Sequence, residues 1–359
     1  MSNHKCKVLA IGDPHFKVDN MEESQHFYHQ VERWLLHHPV DFIVILGDIL
    51  HSHEKIYTFA LNMAVKFIKM CSNFAETYCI VGNHDATSNT IYCSDNHWLH
   101  VFHSVESKNR IHVVDKPVVV DFDEELKDSL FVCCPYVSDG RFMEMLDEFV
   151  HADVYENSKV IFAHQLFNGG KMGAIVAENV EEWNKNLPLV ISGHLHDRHT
   201  PQPNLHYAGS SQQLAFSESG DKSICVVSID RYAPKPVMYE DVFLDLKERK
   251  TVHTTVAQVP EIKLRPNVQY KIVIKDEPTV IAAFKKTAKY KQLLAIENVR
   301  SVQFKSIEVE NKMQVETQGN DFLSQLQERL KEENPYIQSY ANHLLTNSED
   351  LSDKDILLV

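Results

Sequence analysis

Five short segments of the chain place residues that bind metal ions directly after runs of apolar residues. The segments are Gly12-Asp13-Pro14-His15, Gly47-Asp48, Gly82-Asn83-His84-Asp85, Ala163-His164-Gln165 and Gly193-His194-Leu195-His196. Together they supply carboxylate, amide and imidazole groups, which suit divalent ions such as Mn²⁺, Fe²⁺ and Zn²⁺. One such motif alone is weak evidence, but five in one chain favour a metal site.

The set is large enough for two divalent ions that share a bridging carboxylate, and a carboxylate bridges two ions best. We expect Asp48 to be the bridge. The other ligands are predicted to divide into Asp13, His15 and His196 for one ion and Asn83, His164 and His194 for the other. Two such ions activate water and neutralise phosphoryl charge, so the set predicts phosphoester hydrolysis. His84 adjoins a predicted ligand and is expected to donate a proton to the leaving oxygen.

Alternating strands and helices are predicted to position these segments. Buried strands are predicted at residues 7–11, 41–46 and 77–81, with amphipathic helices at 22–37 and 54–74 between them. This order favours a mainly parallel sheet, in which ligands gather at the carboxyl ends of the strands. Glycines that separate apolar runs from predicted ligands require either a positive φ or close backbone approach.

Further strands close the first domain, which is predicted to cover residues 1–245. They are expected at residues 111–121, 129–136, 205–210 and 223–230, in addition to the runs that precede His164 and His194. The domain is thus of the α/β class.

Composition changes after residue 245. Charged, proline-containing sequence at 246–266 indicates a linker. Residues 267–312 are predicted to form a small α/β module with one helix over 279–294. The segment 313–359 is predicted to be a C-terminal helical tail, and its apolar face is expected either to pack on this protein or to bind a partner.

Bulk composition excludes some classes of protein. At 359 residues and 43% hydrophobic residues, the chain is long enough for a large core and a second domain. It has no signal-peptide pattern and no run of roughly 18 apolar residues, so an intracellular protein without a membrane span is expected. The seven cysteines form no CxxC pair and are expected to be buried small hydrophobic residues. The formal charge of −14 argues against a protein that coats nucleic acid indiscriminately, but it does not exclude a nucleic-acid enzyme.

The five motifs resemble those of the calcineurin-like metallophosphoesterases. Two features narrow the resemblance to the SbcD and Mre double-strand-break repair nucleases. Gly47-Asp48-Ile49-Leu50-His51 is similar to their GDLFH element, and Tyr207-Ala208-Gly209-Ser210-Ser211 followed by Phe216-Ser217-Glu218 is similar to a later segment. The resemblance covers residues 7–232, and more loosely 267–310, which look like the capping domain of that family. It implies a β-sandwich with flanking helices.

The resemblance also implies an activity and partners. It implies a metal-dependent DNA nuclease of repair and recombination with 3′-to-5′ exonuclease and single-strand endonuclease activity, and a preference for Mn²⁺, with Mg²⁺, Fe and Zn²⁺ left open. A homodimer and a coiled-coil ATPase partner of the SbcC/Rad type are implied as well. In this family's scheme His51 helps to position the substrate and His84 acts on the leaving group. The compact length is similar to that of bacterial and phage members, which work in the cytoplasm or nucleoid, or in the host cytoplasm.

Two other functions stay open. The chain could be another phosphodiesterase of the same superfamily acting on small phosphoesters, although a protein phosphatase would carry GDxVDRG and GNHE, where this chain has GDILHSH and GNHD. It could also be a non-catalytic scaffold, a function that the full set of predicted ligands disfavours. The nucleases commonly have a proline a few residues after the GDLFH element, whereas this chain reads HSHEKIYT from His51 onward.

Overall fold

A computed structural model describes residues 5–53, 55–121, 129–230, 233 and 236–307. The tail predicted at 313–359 lies outside the described residues. The α-helices are α1 (Met21–His37), α2 (Thr58–Ser72), α3 (Phe142–Phe149), α4 (Ala152–Tyr155), α5 (Pro278–Phe284) and α6 (Ala288–Leu294), and 3₁₀ turns cover Val18–Asn20, Trp98–Ser104 and Val259–Glu261. The strands are β1 (Lys5–Ile11), β2 (Phe42–Ile45), β3 (Glu76–Ile80), β4 (Ile111–Val114), β5 (Val118–Asp121), β6 (Ser129–Cys134), β7 (Val160–Ala163), β8 (Lys171–Met172), β9 (Ile175–Val176), β10 (Leu189–Ser192), β11 (His199–Gln202), β12 (Leu205–Tyr207), β13 (Ser223–Asp230), β14 (Val237–Phe243), β15 (Glu248–Thr254), β16 (Val268–Asp276) and β17 (Val299–Ser306).

Two six-stranded mixed sheets form the body of the protein. The first has the order β14-β13-β1-β2-β3-β4, and the second has the order β11-β12-β10-β7-β6-β5. Strands β1 to β4 are mutually parallel, as are β6, β7, β10 and β12. Antiparallel strands flank both parallel sets. The predicted α/β class and mainly parallel pairing are confirmed.

The two sheets pack face to face, with helices on their outer faces. Along β1, Val8 and Ala10 point into a core shared with Phe131 and Phe162 of the second sheet. Leu9, on the opposite face of β1, packs among residues of α1 and α2. Since side chains alternate along a strand, a strand buried on both faces must be apolar, as β7 is along its whole length and β1 is from Val8 to Ile11. None of the helices in the described ranges could span a lipid bilayer.

The strand predicted at 111–121 is in fact two strands, β4 and β5, which belong to different sheets. Pro117 lies between them and has no N–H for a sheet hydrogen bond, so the chain leaves the first sheet there and enters the second. The sequence Asp115-Lys116-Pro117 interrupts the apolar residues at this crossing, and it was the available signal for the break.

A three-stranded parallel sheet, β15-β16-β17, follows the sandwich and packs on α5 and α6. The segment predicted to be a linker contributes β15, whose sequence ERKTVHT is too polar to be recognised as a strand. The prediction of a single helix at 279–294 is wrong. The segment is divided into α5 and α6, because the Thr287 hydroxyl caps α6 by accepting a hydrogen bond from the Tyr290 N–H at 3.2 Å. The predicted domain division stays a prediction.

Candidate metal centre

The loops after β1, β2, β3, β7 and β10 meet at one edge of the sandwich. These loops carry the seven predicted ligands. They also carry His51, in the loop after β2, and His84, in the loop after β3. Parallel strands in both sheets have their carboxyl ends at this edge, so residues far apart in sequence lie side by side. The structure brings the whole predicted set together, and the ligand roles of its members stay predictions.

Asn83, His164 and His194 form one group. Asn83 Oδ1 lies 3.0 Å from His164 Nε2 and 2.9 Å from His194 Nδ1, and the two ring nitrogens are 3.3 Å apart. All three residues are buried or nearly so. An amide oxygen and two imidazole nitrogens that face one point are a ligand set suited to one divalent ion.

His15 and His196 form the core of the other group. Their Nε2 atoms are 3.0 Å apart. Asp13 is completely buried, and its Oδ1 accepts a hydrogen bond from the His194 N–H at 3.1 Å. The second oxygen, Oδ2, is buried and has no hydrogen-bond partner. A fully buried carboxylate oxygen without a partner is costly unless it binds a cation.

Asp48 lies between the two groups. Its Oδ1 is 3.3 Å from His164 Nε2, and its Oδ2 is 3.6 Å from His15 Nε2. One oxygen therefore faces each group, which is the arrangement that a bridging carboxylate needs. The Asp48 side chain is 2% exposed, so solvent does not compensate its charge.

Outer hydrogen bonds fix the ring orientation of two histidines. His164 Nδ1 donates to the main-chain oxygen of Leu46 at 2.6 Å, and His196 Nδ1 donates to Glu218 Oε1 at 3.1 Å. In both rings Nε2 is therefore the nitrogen that faces the site, and it is the atom that would bind an ion in place of a proton. Metal-binding histidines characteristically donate the other ring N–H in this way.

Four of the predicted ligands have strained backbones. Asp13, His15, Asp48 and His194 have φ values of 35°, 45°, 48° and 78°. Non-glycine residues rarely adopt positive φ, and such strain persists where the surrounding structure enforces it, often at functional sites. These loops are therefore shaped for the position of their side chains rather than for local stability.

Two glycines make room for the carboxylates. A Cβ at Gly82 would lie 2.3 Å from Asp48 Oδ1, and one at Gly193 would lie 2.5 Å from Asp13 Oδ1. Both positions need glycine for close approach rather than for positive φ, one of the two explanations that the sequence left open.

Protonation of the ion-free cluster follows from burial and charge. Burial alone would lower the pKa of His164, but the carboxylates of Asp48 and Asp13 outweigh burial and raise the pKa well above its ordinary value. Burial lowers the pKa of His194 to about 3, and the neighbouring His164 charge acts in the same direction. A proton held by His164 thus balances part of the carboxylate charge, and a divalent ion would displace it.

His51 and His84 lie on the solvent side of the two groups. His84 Nδ1 donates to the main-chain oxygen of His51 at 2.7 Å, and His84 Nε2 lies 3.9 Å from Asp48 Oδ2. The His53 ring stacks on His84 with a centroid distance of 4.1 Å. A quarter of the His84 side chain is exposed, so it can reach both the predicted centre and a bound substrate.

Sequence reasoning assigned no role to Asp85, the last residue of the GNHD motif. Its buried carboxylate accepts hydrogen bonds from the N–H groups of Ile49, Leu50 and Gly82 and from Trp98 Nε1, at 2.9 to 3.3 Å. Asp85 therefore joins the loop after β2 to the loop after β3, and so holds Asp48 beside His84. Its place in the motif was the available signal.

The sequence indicates Glu218 only as part of a segment that is similar to one in the SbcD and Mre nucleases. It accepts from His196 and from the Leu214 N–H, and lies 3.2 Å from Lys222 Nζ. Burial by itself would raise the pKa of Glu218, but the His196 hydrogen bond and the Lys222 charge lower it to about 2. Glu218 is thus an ionised carboxylate that orients a predicted ligand.

The donor set as a whole fits two divalent ions. Two divalent cations would together satisfy the orphaned Asp13 oxygen, the divided Asp48 carboxylate and the converging imidazole nitrogens. The ligand atoms of Asp48, His164 and His194 lie within 4.8 Å of one another, as do those of His15, His51 and His84. Nitrogen and oxygen donors do not select one metal.

The sandwich, the ligand-bearing loops and the two-ion donor set define a metal-dependent phosphoesterase. The sequence profile of the calcineurin-like phosphoesterase family matches residues 6–198, and the chain belongs to that family. It is 37% identical over 285 residues to "Putative phosphoesterase 244L" of Invertebrate iridescent virus 6, and the alignment covers 78% of this chain and 98% of the relative. It is 36% identical over 295 residues to "Putative phosphoesterase 078R" of Invertebrate iridescent virus 3, covering 81% and 82%.

Proposed function

We propose that the chain is a DNA nuclease of the SbcD/Mre type. The observation that carries the proposal is the hydrogen bond from His84 Nδ1 to the His51 main-chain oxygen. It joins the GDILH element, on which the nuclease resemblance depends, to the GNHD element beside the predicted bridge. The bond keeps Nδ1 protonated and directs Nε2 toward the site, where a protonated ring can donate to a leaving oxygen.

The side chains of this site divide the work. Asp13, His15, His196, Asn83, His164, His194 and Asp48 would hold the two ions. When bound, the ions supply an activated water and neutralise charge on the phosphoryl oxygens. His84 supplies a proton to the sugar oxygen as its bond to phosphorus breaks, and the main-chain oxygen of His51 holds the His84 ring in place.

A groove beside the site supports a polymeric substrate. It has a volume of about 500 Å³ and is lined by Ser52, His53, Lys55, Tyr57, Thr87, Ser88 and Asn89. His53 connects it to the site because its ring stacks on His84. Lys55 offers a positive charge for a flanking phosphate, and Tyr57, which is 52% exposed, offers a ring on which a base can stack.

The metal and the partners follow from the same proposal. Mn²⁺ is the proposed ion on the strength of the motif resemblance, since the nitrogen and oxygen donors do not select one metal. A homodimer and a coiled-coil ATPase of the SbcC/Rad type are the proposed partners, on the strength of the motif resemblance.

A nuclease assay tests the proposal. Protein stripped with a chelator and reloaded with Mn²⁺, Mg²⁺ or Zn²⁺ is incubated with end-labelled duplex DNA, single-stranded DNA and bis-p-nitrophenyl phosphate, with Asp48→Ala alongside. We expect metal-dependent DNA cleavage that Asp48→Ala abolishes. Hydrolysis of the small ester without cleavage of either DNA would instead indicate an enzyme of small phosphoesters, and no hydrolysis at all would indicate a scaffold.

A further inference from the structure

A second cluster of metal-binding side chains lies between the two sheets, apart from the predicted two-ion centre. His206 on β12 belongs to the second sheet, whereas Cys225 on β13 and Asp241 on β14 belong to the first. Cys225 and Asp241 are directly paired across the β13–β14 ladder. The ligand atoms of the three residues lie within 4.8 Å of one another.

Two atoms that face one another in this cluster have no hydrogen-bond partner. His206 is 3% exposed, and its Nε2 makes no hydrogen bond; Asp241 Oδ1 is likewise buried and unpaired. They are 3.6 Å apart, too far for a hydrogen bond. Two tetrahedral ligands of one zinc ion, at bond lengths near 2.1 Å, are separated by about 3.4 Å. The observed spacing fits a shared cation better than direct contact.

The other atom of each group is already held from outside. His206 Nδ1 lies 3.0 Å from the Thr200 hydroxyl, and Asp241 Oδ2 accepts a hydrogen bond from Arg198 Nη1 at 2.6 Å. Burial opposes ionisation of Asp241, but its contacts with His206 and Arg198 outweigh burial and lower its pKa. These outer contacts orient Nε2 and Oδ1 toward Cys225, as second partners of metal ligands do.

We propose that His206 Nε2, Cys225 Sγ and Asp241 Oδ1 bind a structural divalent cation of the thiophilic class, with Zn²⁺ as the natural occupant. Nitrogen, sulfur and oxygen donors together suit zinc, with water in the fourth position. The thiol proton passes to solvent as the thiolate binds. The ion joins one sheet to the other, because its ligands come from both.

Cobalt(II) tests this site without interference from the predicted catalytic centre. A cysteine thiolate bound to cobalt gives a charge-transfer absorption in the near ultraviolet, whereas the predicted catalytic ligands contain no sulfur. Titration of chelator-stripped, full-length protein with Co²⁺ is expected to produce this absorption with the intensity of one cobalt–thiolate bond per chain, and added Zn²⁺ should abolish it. The Asp48→Ala protein should show the same absorption, so failure of the proposed nuclease does not affect the outcome.

Matched cysteine variants assign the signal. Cys225→Ala should lose the absorption, while Cys6→Ala should keep it, since Cys6 is equally buried in the same inter-sheet core. Asp241→Asn keeps the thiol and the side-chain size, and is expected to weaken Co²⁺ binding at least tenfold; it replaces Cys225→Ala should that variant not fold. Absence of the absorption in the unaltered protein, or its persistence in folded Cys225→Ala, would overturn the proposal.

Discussion

The imidazole Nδ1 of His196 donates a hydrogen bond to Glu218 Oε1 at 3.1 Å. Glu218 Oε2 in turn accepts from the Leu214 N–H at 2.9 Å. The adjacent Gln213 side chain exchanges two hydrogen bonds with the main chain of Arg249 on β15, at 2.9 and 2.7 Å. A predicted metal ligand is therefore connected, through one loop, to the small three-stranded sheet.

Glu218→Gln is expected to weaken metal binding more than folding. Glutamine keeps an acceptor for His196 but removes the negative charge that makes the ring a stronger ligand. Loss of such an outer partner lowers metal affinity by about 10- to 100-fold. Activity against bis-p-nitrophenyl phosphate, titrated with Mn²⁺, should show a raised half-saturation concentration and recover at excess metal.

Glu181→Gln is the matched control for this change. Glu181 is also buried, and it accepts a hydrogen bond from the Phe142 N–H at 3.0 Å, on a segment that carries no predicted ligand. Its substitution should alter stability without moving the metal titration. An unchanged metal titration in Glu218→Gln would show that Glu218 does not tune His196.

The residues of the predicted centre could be identified from sequence because each follows an apolar strand. Asp48 follows β2 of the first sheet and His164 follows β7 of the second, 116 positions later. The rule that parallel strands present their carboxyl ends on one edge places each residue at the edge of its own sheet. Their approach to 3.3 Å also depends on the packing of the two sheets, which strand order alone does not give. The prediction of phosphoester hydrolysis followed from the carboxylate, amide and imidazole groups in the set.

Residues that act through other residues could not be identified in this way. Asp85 stands in the GNHD motif, but its role depends on four donors from loops whose approach only the fold defines. Cys225 and Asp241 gave no motif at all, because residues paired across a strand ladder have no fixed sequence spacing. β15 was missed for a related reason, since its polar sequence carries too little periodicity.

Asp85→Asn should destabilise the protein and disturb the site together. An amide has one acceptor oxygen, and its NH₂ would face main-chain N–H donors that the carboxylate now satisfies. Leaving a buried donor unpaired costs about 1–3 kcal/mol. Urea denaturation should show a loss of this size, and metal affinity should fall because Asp48 moves with its loop. A variant as stable as the parent would contradict the role given to Asp85.

Gly193→Ala should abolish metal binding, because the new methyl group would lie 2.5 Å from Asp13 Oδ1 and 2.6 Å from the Leu46 oxygen. Neither atom can retreat without displacing a predicted ligand or a strand end. Gly220→Ala is the control, since its nearest neighbour would be 3.8 Å away. Calorimetric titration with Mn²⁺ should separate the two variants, and normal binding by Gly193→Ala would refute the packing argument.

His84→Ala should act on the leaving group rather than on the metal ions. A general acid contributes about 10²–10⁴-fold when the leaving oxygen is basic, as in DNA, and little when it is a stable p-nitrophenolate. We expect the variant to keep its metal content and most of its activity on bis-p-nitrophenyl phosphate while losing DNA cleavage by a factor in that range. Equal losses on both substrates would assign His84 to metal binding or folding instead.

The Asp115 carboxylate, which lies away from the predicted metal centre, should make the stability of the protein depend on pH. Its Oδ2 lies 3.4 Å from His97 Nε2 and 3.9 Å from His103 Nε2. Burial would raise the pKa of Asp115, but the contacts with these histidines outweigh burial and lower the pKa below 3.8.

A carboxylate whose pKa is lower in the folded state stabilises that state above its unfolded pKa, and the benefit is lost as pH falls through the folded value. Asp115→Asn should therefore reduce the free energy of unfolding near pH 6 by about 1 kcal/mol, a modest figure because Asp115 is partly exposed. The difference from the parent should shrink below pH 4. Urea denaturation of chelator-treated protein across this range measures it, and a difference that grew toward low pH would have the wrong sign.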